Sequence, residues 1–264
     1  MNICKNNNQH YGKFFESAVS SYINGVENYY NDFDFPAEDI EFMKKDAEKC
    51  AHYIHGNTCK WVGNHTISED CDIIVDNKRH IELKYVSSGN GTYFNTSIYY
   101  FTKFGFNFKD YMNKAGLYEA IEQVGFTPNK KNNSPVNQKV SSEIRHNFSS
   151  EYKKFIIPAE ELARNLFISN VVDFLTNNPT YKYEFISDML SKNSITCTKT
   201  VPDEIIVYNY NTKKIFNIDL NSQIKTGNLN NTNKGIKIDD IRIAIGWQNG
   251  NGLNNPTLRV FLGA

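Results

Sequence analysis

The chain of 264 residues balances 29 Lys and Arg against 29 Asp and Glu, and 40% of it is hydrophobic and 14% aromatic. That composition excludes a disordered segment and a protein that coats nucleic acid by bulk attraction, and the length suits one large domain or one domain with a sizeable lobe. There is no run of 18 apolar residues, and "MNICKNNNQH" has no apolar stretch after a basic start, so neither a membrane span nor a signal peptide is expected. The five cysteines, Cys4, Cys50, Cys59, Cys71 and Cys197, are odd in number and scattered, which points to the reducing cytoplasm.

In chain order, "YGKFFESAVSSYINGVENYY" sets Phe14, Phe15, Ala18, Val19, Tyr22, Ile23 and Val26 at helical spacing. "FPAEDIEFMKKDAEKCAHYIHGN" opens on Pro36 and acids and stops at Gly56, which predicts a second helix. "CKWVG", "CDIIVD" and "HIELKYV" read as a three-strand meander, with "DNK" as the turn between the last two. "SSGNGTYFNTS" reads as a polar loop, residues 98–124 as mostly helical with breaks near Gly105 and Gly116, and residues 127–149 as an exposed loop or linker. "PAEELARNLFISNVVDFLTNN" predicts a strong helix with an apolar stripe through Leu162, Leu166, Val171, Phe174 and Leu175, and a further helix is expected around Tyr183 to Leu190. From Glu204 the pattern turns to strands: "EIIVYNY", "KIFNIDL", "DIRIAIGWQ" and "TLRVFLG". The expectation is an α/β fold, a central mixed β-sheet flanked by helices, with a C-terminal β-rich portion. Residues 1–126 would hold the first helices and the meander, 127–157 a linker or loop, and 158–264 the rest of the same domain.

Three charged side chains, Asp72, Glu82 and Lys84, interrupt segments that otherwise suit a buried sheet. In an extended strand Glu82 and Lys84 share one face while Ile81, Leu83 and Tyr85 take the other. Antiparallel pairing across the "DNK" turn brings Asp72 near Glu82, so two carboxylates and an ammonium would meet at a sheet edge. Such a site suits Mg²⁺, a hard cation that takes oxygen ligands and can acidify a bound water and offset charge on a phosphate under attack. The lysine would orient that water.

This arrangement resembles the active-site signature of the PD-(D/E)XK nuclease superfamily, which includes most type II restriction endonucleases. Here it stands as Asp72 followed by Glu82-Leu83-Lys84, with Cys71 where the family usually has proline, and "GKFFESAV" supplies Glu16 in the form of the family's first-helix glutamate. The resemblance runs from Gly12 to Lys84. It implies a restriction-endonuclease-like fold and a Mg²⁺-dependent, sequence-specific endonuclease acting on double-stranded DNA, commonly as a homodimer. Asp72 and Glu82 would hold the metal, Lys84 would position the water, and Glu16 would support the site. Glu-x-Lys alone is a weak pattern, since Glu151 and Lys153 match it too; the strand context and the upstream aspartate lift the first match.

DNA contacts are expected from Ser87, Ser88, Asn90, Thr92 and Asn95 in the polar loop, from Lys130 and Lys131, and from Arg242, Gln248, Asn249 and Asn251 near the C-terminus, where Asn, Gln and Arg suit base edges. Lysines also cluster at Lys44, Lys45 and Lys49, at Lys130, Lys131 and Lys139, and at Lys153 and Lys154; each group reads first as solvated surface. Cys50, His52, His55 and Cys59 form a rival zinc set, but Cys50 and His52 lie two apart on a helix and point to different sides, which favours packed helix residues. No glycine-rich phosphate loop appears, so no nucleotide cofactor is expected. The alternatives are a repair, junction-resolving or modification-dependent nuclease of the same fold, or a non-catalytic binding module.

Overall fold

The computed structural model describes residues 8–30, 34–63, 71–87, 92–98, 103–131, 134–190, 202–232, 235–239, 241–247, 253 and 256–262. Its fold is mixed α/β, and the chain divides into two compact units. One is formed by Met1–Tyr93 and Lys199–Asn221, the other by Phe94–Thr198 and Ser222–Ala264. The divisions between the two units fall at 93, 198 and 221. Among the described residues no helix is long and apolar enough to cross a membrane.

The first unit contains α1 (Asn8–Ile23), α2 (Ala37–Ile54), β1 (Cys59–Trp61), β2 (Ile73–Val75) and β3 (Arg79–Val86). The chain returns to it with β5 (Glu204–Asn209) and β6 (Lys214–Asp219). These strands make a mixed sheet ordered β1-β2-β3-β5-β6, antiparallel except for the parallel pair β3 and β5. Phe14, Phe15, Ala18 and Val19 of α1 and Met43, Ala47, Cys50 and Ile54 of α2 bury against Ile73, Val75, Ile81, Leu83, Ile206 and Tyr208. The period-2 strands thus supply one apolar face and the helices supply matching stripes. Asp76 and Asn77 adopt φ of 51° and 54°, and Lys78 N donates to Val75 O at 3.0 Å, so the predicted turn is tight and follows the twist of its strands. Arg79 clamps the opposite side of the same hairpin. Its Nε and Nη2 donate to the two carboxylate oxygens of Glu204 at 2.7 and 3.0 Å, and its Nη1 donates to Ile54 O at 2.8 Å at the end of α2.

The chain enters the second unit within β4 (Thr92–Ser97), which is followed by α3 (Phe108–Lys114), α4 (Leu117–Gln123), α5 (Gln138–Asn147) and the single turn α6 (Ser149–Glu151). A π-helical turn, Tyr152–Ile156, leads into α7 (Ile157–Asn177) and then α8 (Lys182–Leu190). After α9 (Leu220–Thr226) come β7 (Leu229–Thr232), β8 (Gly235–Ile238), β9 (Ile241–Trp247) and β10 (Pro256–Leu262). Those strands and β4 form a second five-stranded sheet ordered β4-β10-β9-β8-β7.

Several sequence expectations change here. The C-terminal strands divide between two sheets, β4 replaces part of the expected polar loop, and α5 lies within the expected linker. On α7 the buried row runs through Ala159, Ala163, Phe167, Val171 and Leu175, while Leu162 is exposed. Glu151 and Lys153 flank the start of the π turn and share no strand, so the second Glu-x-Lys match has no sheet context.

Candidate active site

The β2–β3 register places Ile73 opposite Ile81, which carries Asp72 opposite Glu82 at the point where β2 begins. There the aspartate side chain enters the ladder: Leu83 N donates to Asp72 Oδ2 at 2.8 Å, while Asp72 N donates to Ile81 O at 3.0 Å. Val62 N and Gly63 N both donate to Asp72 O, at 2.9 and 3.1 Å, so the residue is fixed from both sides by backbone. Lys84 Nζ lies 2.6 Å from Glu82 Oε1 and 3.3 Å from Asp72 Oδ2. The three side chains predicted from the strand pattern are therefore brought to one point. They do not sit at a sheet edge. β3 is the middle strand, hydrogen-bonded on both sides, which holds Glu82 and Lys84 on a backbone with little freedom to shift.

Glu16 comes from the third turn of α1 and is buried. Trp61 Nε1 of β1 donates to Glu16 Oε2 at 3.3 Å, and a Cβ added at Gly63 would overlap the same oxygen. Burial first, then the negative charge of Asp72, pushes the Glu16 carboxyl up to about 8, against the opposing pull of Lys84 and of the Trp61 hydrogen bond. Burial disfavours the Lys84 ammonium, but Asp72, Glu82 and Glu16 outweigh it and hold the lysine above its usual range.

Three acids thus surround one cation. Their oxygens are hard donors, and Lys84 alone leaves negative charge over, so Asp72 and Glu82 fit a divalent cation. Among the described residues no group of three or more His, Cys, Asp or Glu side chains is arranged to hold a metal ion. Two carboxylates with water completing the shell are nevertheless a common way of holding Mg²⁺.

Behind the site, on the opposite face of β3, Asp46 of α2 is buried and accepts from Tyr85 at 2.9 Å, from Tyr208 at 2.8 Å and from Lys213 Nζ at 2.9 Å. Burial first, and the neighbouring aspartate next, raise the Tyr85 hydroxyl above its usual range. The cluster pins α2 to β3 one residue from Lys84. Neither Trp61 and Gly63 nor this cluster emerges from the sequence pattern; the one available signal is a glycine two residues after an indole at the end of a strand.

The expected DNA contacts divide. Ser87 is exposed, and its carbonyl accepts from Asn211 at 2.9 Å. Thr92 and Asn95 lie on β4 rather than on a loop. Lys130 pairs with Glu122 at 3.1 Å, while Lys131 is exposed. The Arg242 guanidinium, on β9, stacks 4.7 Å from the Phe261 ring. Ser88, Asn90, Gln248, Asn249 and Asn251 lie outside the described residues. In the rival zinc set, Cys50 is in the core while His52 and His55 are exposed, so the four side chains do not share one environment, and burial pushes the Cys50 thiol up to about 12 and that of Cys59 up to about 11.

No family model matches the chain, and neither a curated protein nor a solved structure matches it.

Proposed function

We propose that the chain is a Mg²⁺-dependent endonuclease of restriction-endonuclease-like fold that hydrolyses phosphodiester bonds at specific sites in double-stranded DNA. The observation that carries this reading is the convergence of Asp72, Glu82 and Lys84, two acids opposed across a strand pair and one ammonium within 3.3 Å of both. A mixed sheet backed by two helices, with a parallel pair at the site strand, also suits that fold.

In this reading Asp72 and Glu82 hold the metal. Mg²⁺ bound there would supply positive charge to offset the negative charge gathering on the phosphate under attack. Lys84 exchanges its contact with Glu82 for the attacking water and aligns it with phosphorus. Glu16, held by Trp61, takes up a proton more readily than an ordinary carboxyl and limits the negative charge around the pair. Action as a homodimer in the cytoplasm belongs to the same reading.

The test is incubation of the full chain with unmodified plasmid and phage DNA, with Mg²⁺ and with chelator. Discrete Mg²⁺-dependent fragments are expected from the wild type, and their loss in Glu82→Ala and Lys84→Ala chains that retain wild-type circular dichroism. Cleavage that survives both changes ends the assignment.

A further inference from the structure

The second unit presents a surface that this chemistry leaves unused. Along α5, Gln138, Ser142 and His146 form one row at successive fourth positions, and Lys139, Glu143 and Asn147 form the row beside it. Together they line an open depression, on the side away from buried Ser141 and Ile144. Gln138, Lys139, His146 and Asn147 are exposed, and Glu143 is the single acid of the helix.

The surrounding segment is basic although the chain as a whole is neutral. Residues 130–154 hold six Lys and Arg against two acids, Glu143 and Glu151, a surplus of four positive charges. Lys130 is committed to Glu122, and Arg145 lies 5.9 Å from the Tyr152 ring, but Lys131, Lys139, Lys153 and Lys154 are exposed. Asn137 accepts from Val140 N at 2.9 Å, so the first turn carrying Gln138 and Lys139 is capped and ordered before any ligand arrives.

We propose that this outward face of α5 is a docking surface for duplex DNA. Lys139 lies against a phosphate, and Gln138, His146 and Asn147 turn toward base edges. The inference rests on the nuclease reading, which names DNA as the substrate, and it adds the element that holds the duplex. Ten residues of helix span about 15 Å, and the major groove, about 12 Å wide, admits a helix of that kind. Amide side chains pair with adenine there, and local lysines supply the phosphate contacts that a neutral chain cannot supply by bulk charge.

The experiment is fluorescence anisotropy of the full chain on a fluorescein-labelled duplex of mixed sequence, in Ca²⁺ and over a range of salt, with a single-stranded RNA of the same length beside it. Lys139→Glu is expected to weaken duplex binding about tenfold and to lower the salt slope by about 1, while Lys139→Gln, the milder change, has a smaller effect in the same direction. Lys214→Gln, exposed on β6, is the control and is expected to bind as the wild type does. A wild type that binds or cuts duplex DNA, with both Lys139 variants unchanged, overturns the surface and leaves the nuclease reading standing. Preference for the RNA overturns the surface. Neither cutting nor duplex binding by the wild type overturns both.

Discussion

Trp61 Nε1 donates to Glu16 Oε2 across 3.3 Å, joining the end of β1 to the middle of α1 at the edge of the acidic cluster. Gly63 lies against the same carboxylate, and no Cβ fits there. Because the obstructing atom is the end of a flexible side chain, Gly63→Ala should move Glu16 rather than unfold the unit. Expected are a loss of DNA cleavage of about tenfold, equivalent to ~1.4 kcal/mol in the barrier, and a change in stability within about 1 kcal/mol. Cleavage kinetics and urea unfolding on one preparation check this, and an unchanged rate removes Glu16 from the mechanism.

Metal binding should register as stability. With Mg²⁺ at about a hundred times its dissociation constant the wild type should gain about 2.7 kcal/mol against unfolding. Asp72→Asn should abolish that gain. Thermal melts with and without Mg²⁺ measure it, and an equal gain in both proteins would place the ion elsewhere.

Asp46 offers a test of the scaffold alone. Removing its carboxylate takes an acceptor from the buried Tyr208 hydroxyl and the half-buried Tyr85 hydroxyl, and a partner from the exposed Lys213 side chain. Asp46→Ala should cost about 3 kcal/mol, and Asp46→Asn, which keeps one oxygen, about half as much. Urea midpoints for the two variants decide it; a cost below 1 kcal/mol for the alanine would show that water replaces the network.

Glu160 of α7 is buried, and burial pushes its carboxyl up to about 8 despite hydrogen bonds from the Tyr152 hydroxyl at 3.2 and 3.4 Å. In the unfolded chain the group titrates near its ordinary value, about 4.3, so over the interval between the two values the native state binds more protons. Its contribution is therefore full below the unfolded value, declines as pH rises, and levels off above about 8. The total is of the order of a few kcal/mol, at about 1.4 kcal/mol per pH unit. Glu160→Gln should flatten the curve and be the more stable protein at alkaline pH. Urea midpoints from about pH 5 to about pH 9 would show the two curves crossing or not.

The hairpin carrying Asp72, Glu82 and Lys84 is legible in the sequence because a short β-branched run, Ile73 to Val75, precedes a strand whose apolar residues Ile81, Leu83 and Tyr85 alternate with charged ones, with the Asp-Asn turn between them. The helices α1, α2 and α7 are legible from apolar spacing, and α2 and α7 also from proline and acids at their starts. β4 is hidden because "TYFNTS" continues a Gly- and Asn-rich run, and β7 and β8 because "LNNT" and "GIKI" are too short for a period to show. α5 follows "NKKNNSPVN", whose punctuation suggests a loop, although Asn137 is its cap. Trp61 and Gly63 escape for a different reason. Their relation to Glu16 crosses about 45 residues and depends on how β1 meets α1, which local pattern does not encode.

The parallel partner of the site strand is β5, and residues 87–203 intervene before it is made. On the ribosome, β3 therefore keeps an open border until the segment ending at Asn209 has emerged, and before that the middle position that steadies Glu82 and Lys84 does not exist. Until that strand arrives the acids and the amine rest on β1, β2 and β3 alone, so pairing with β5 is the step in synthesis that completes their support.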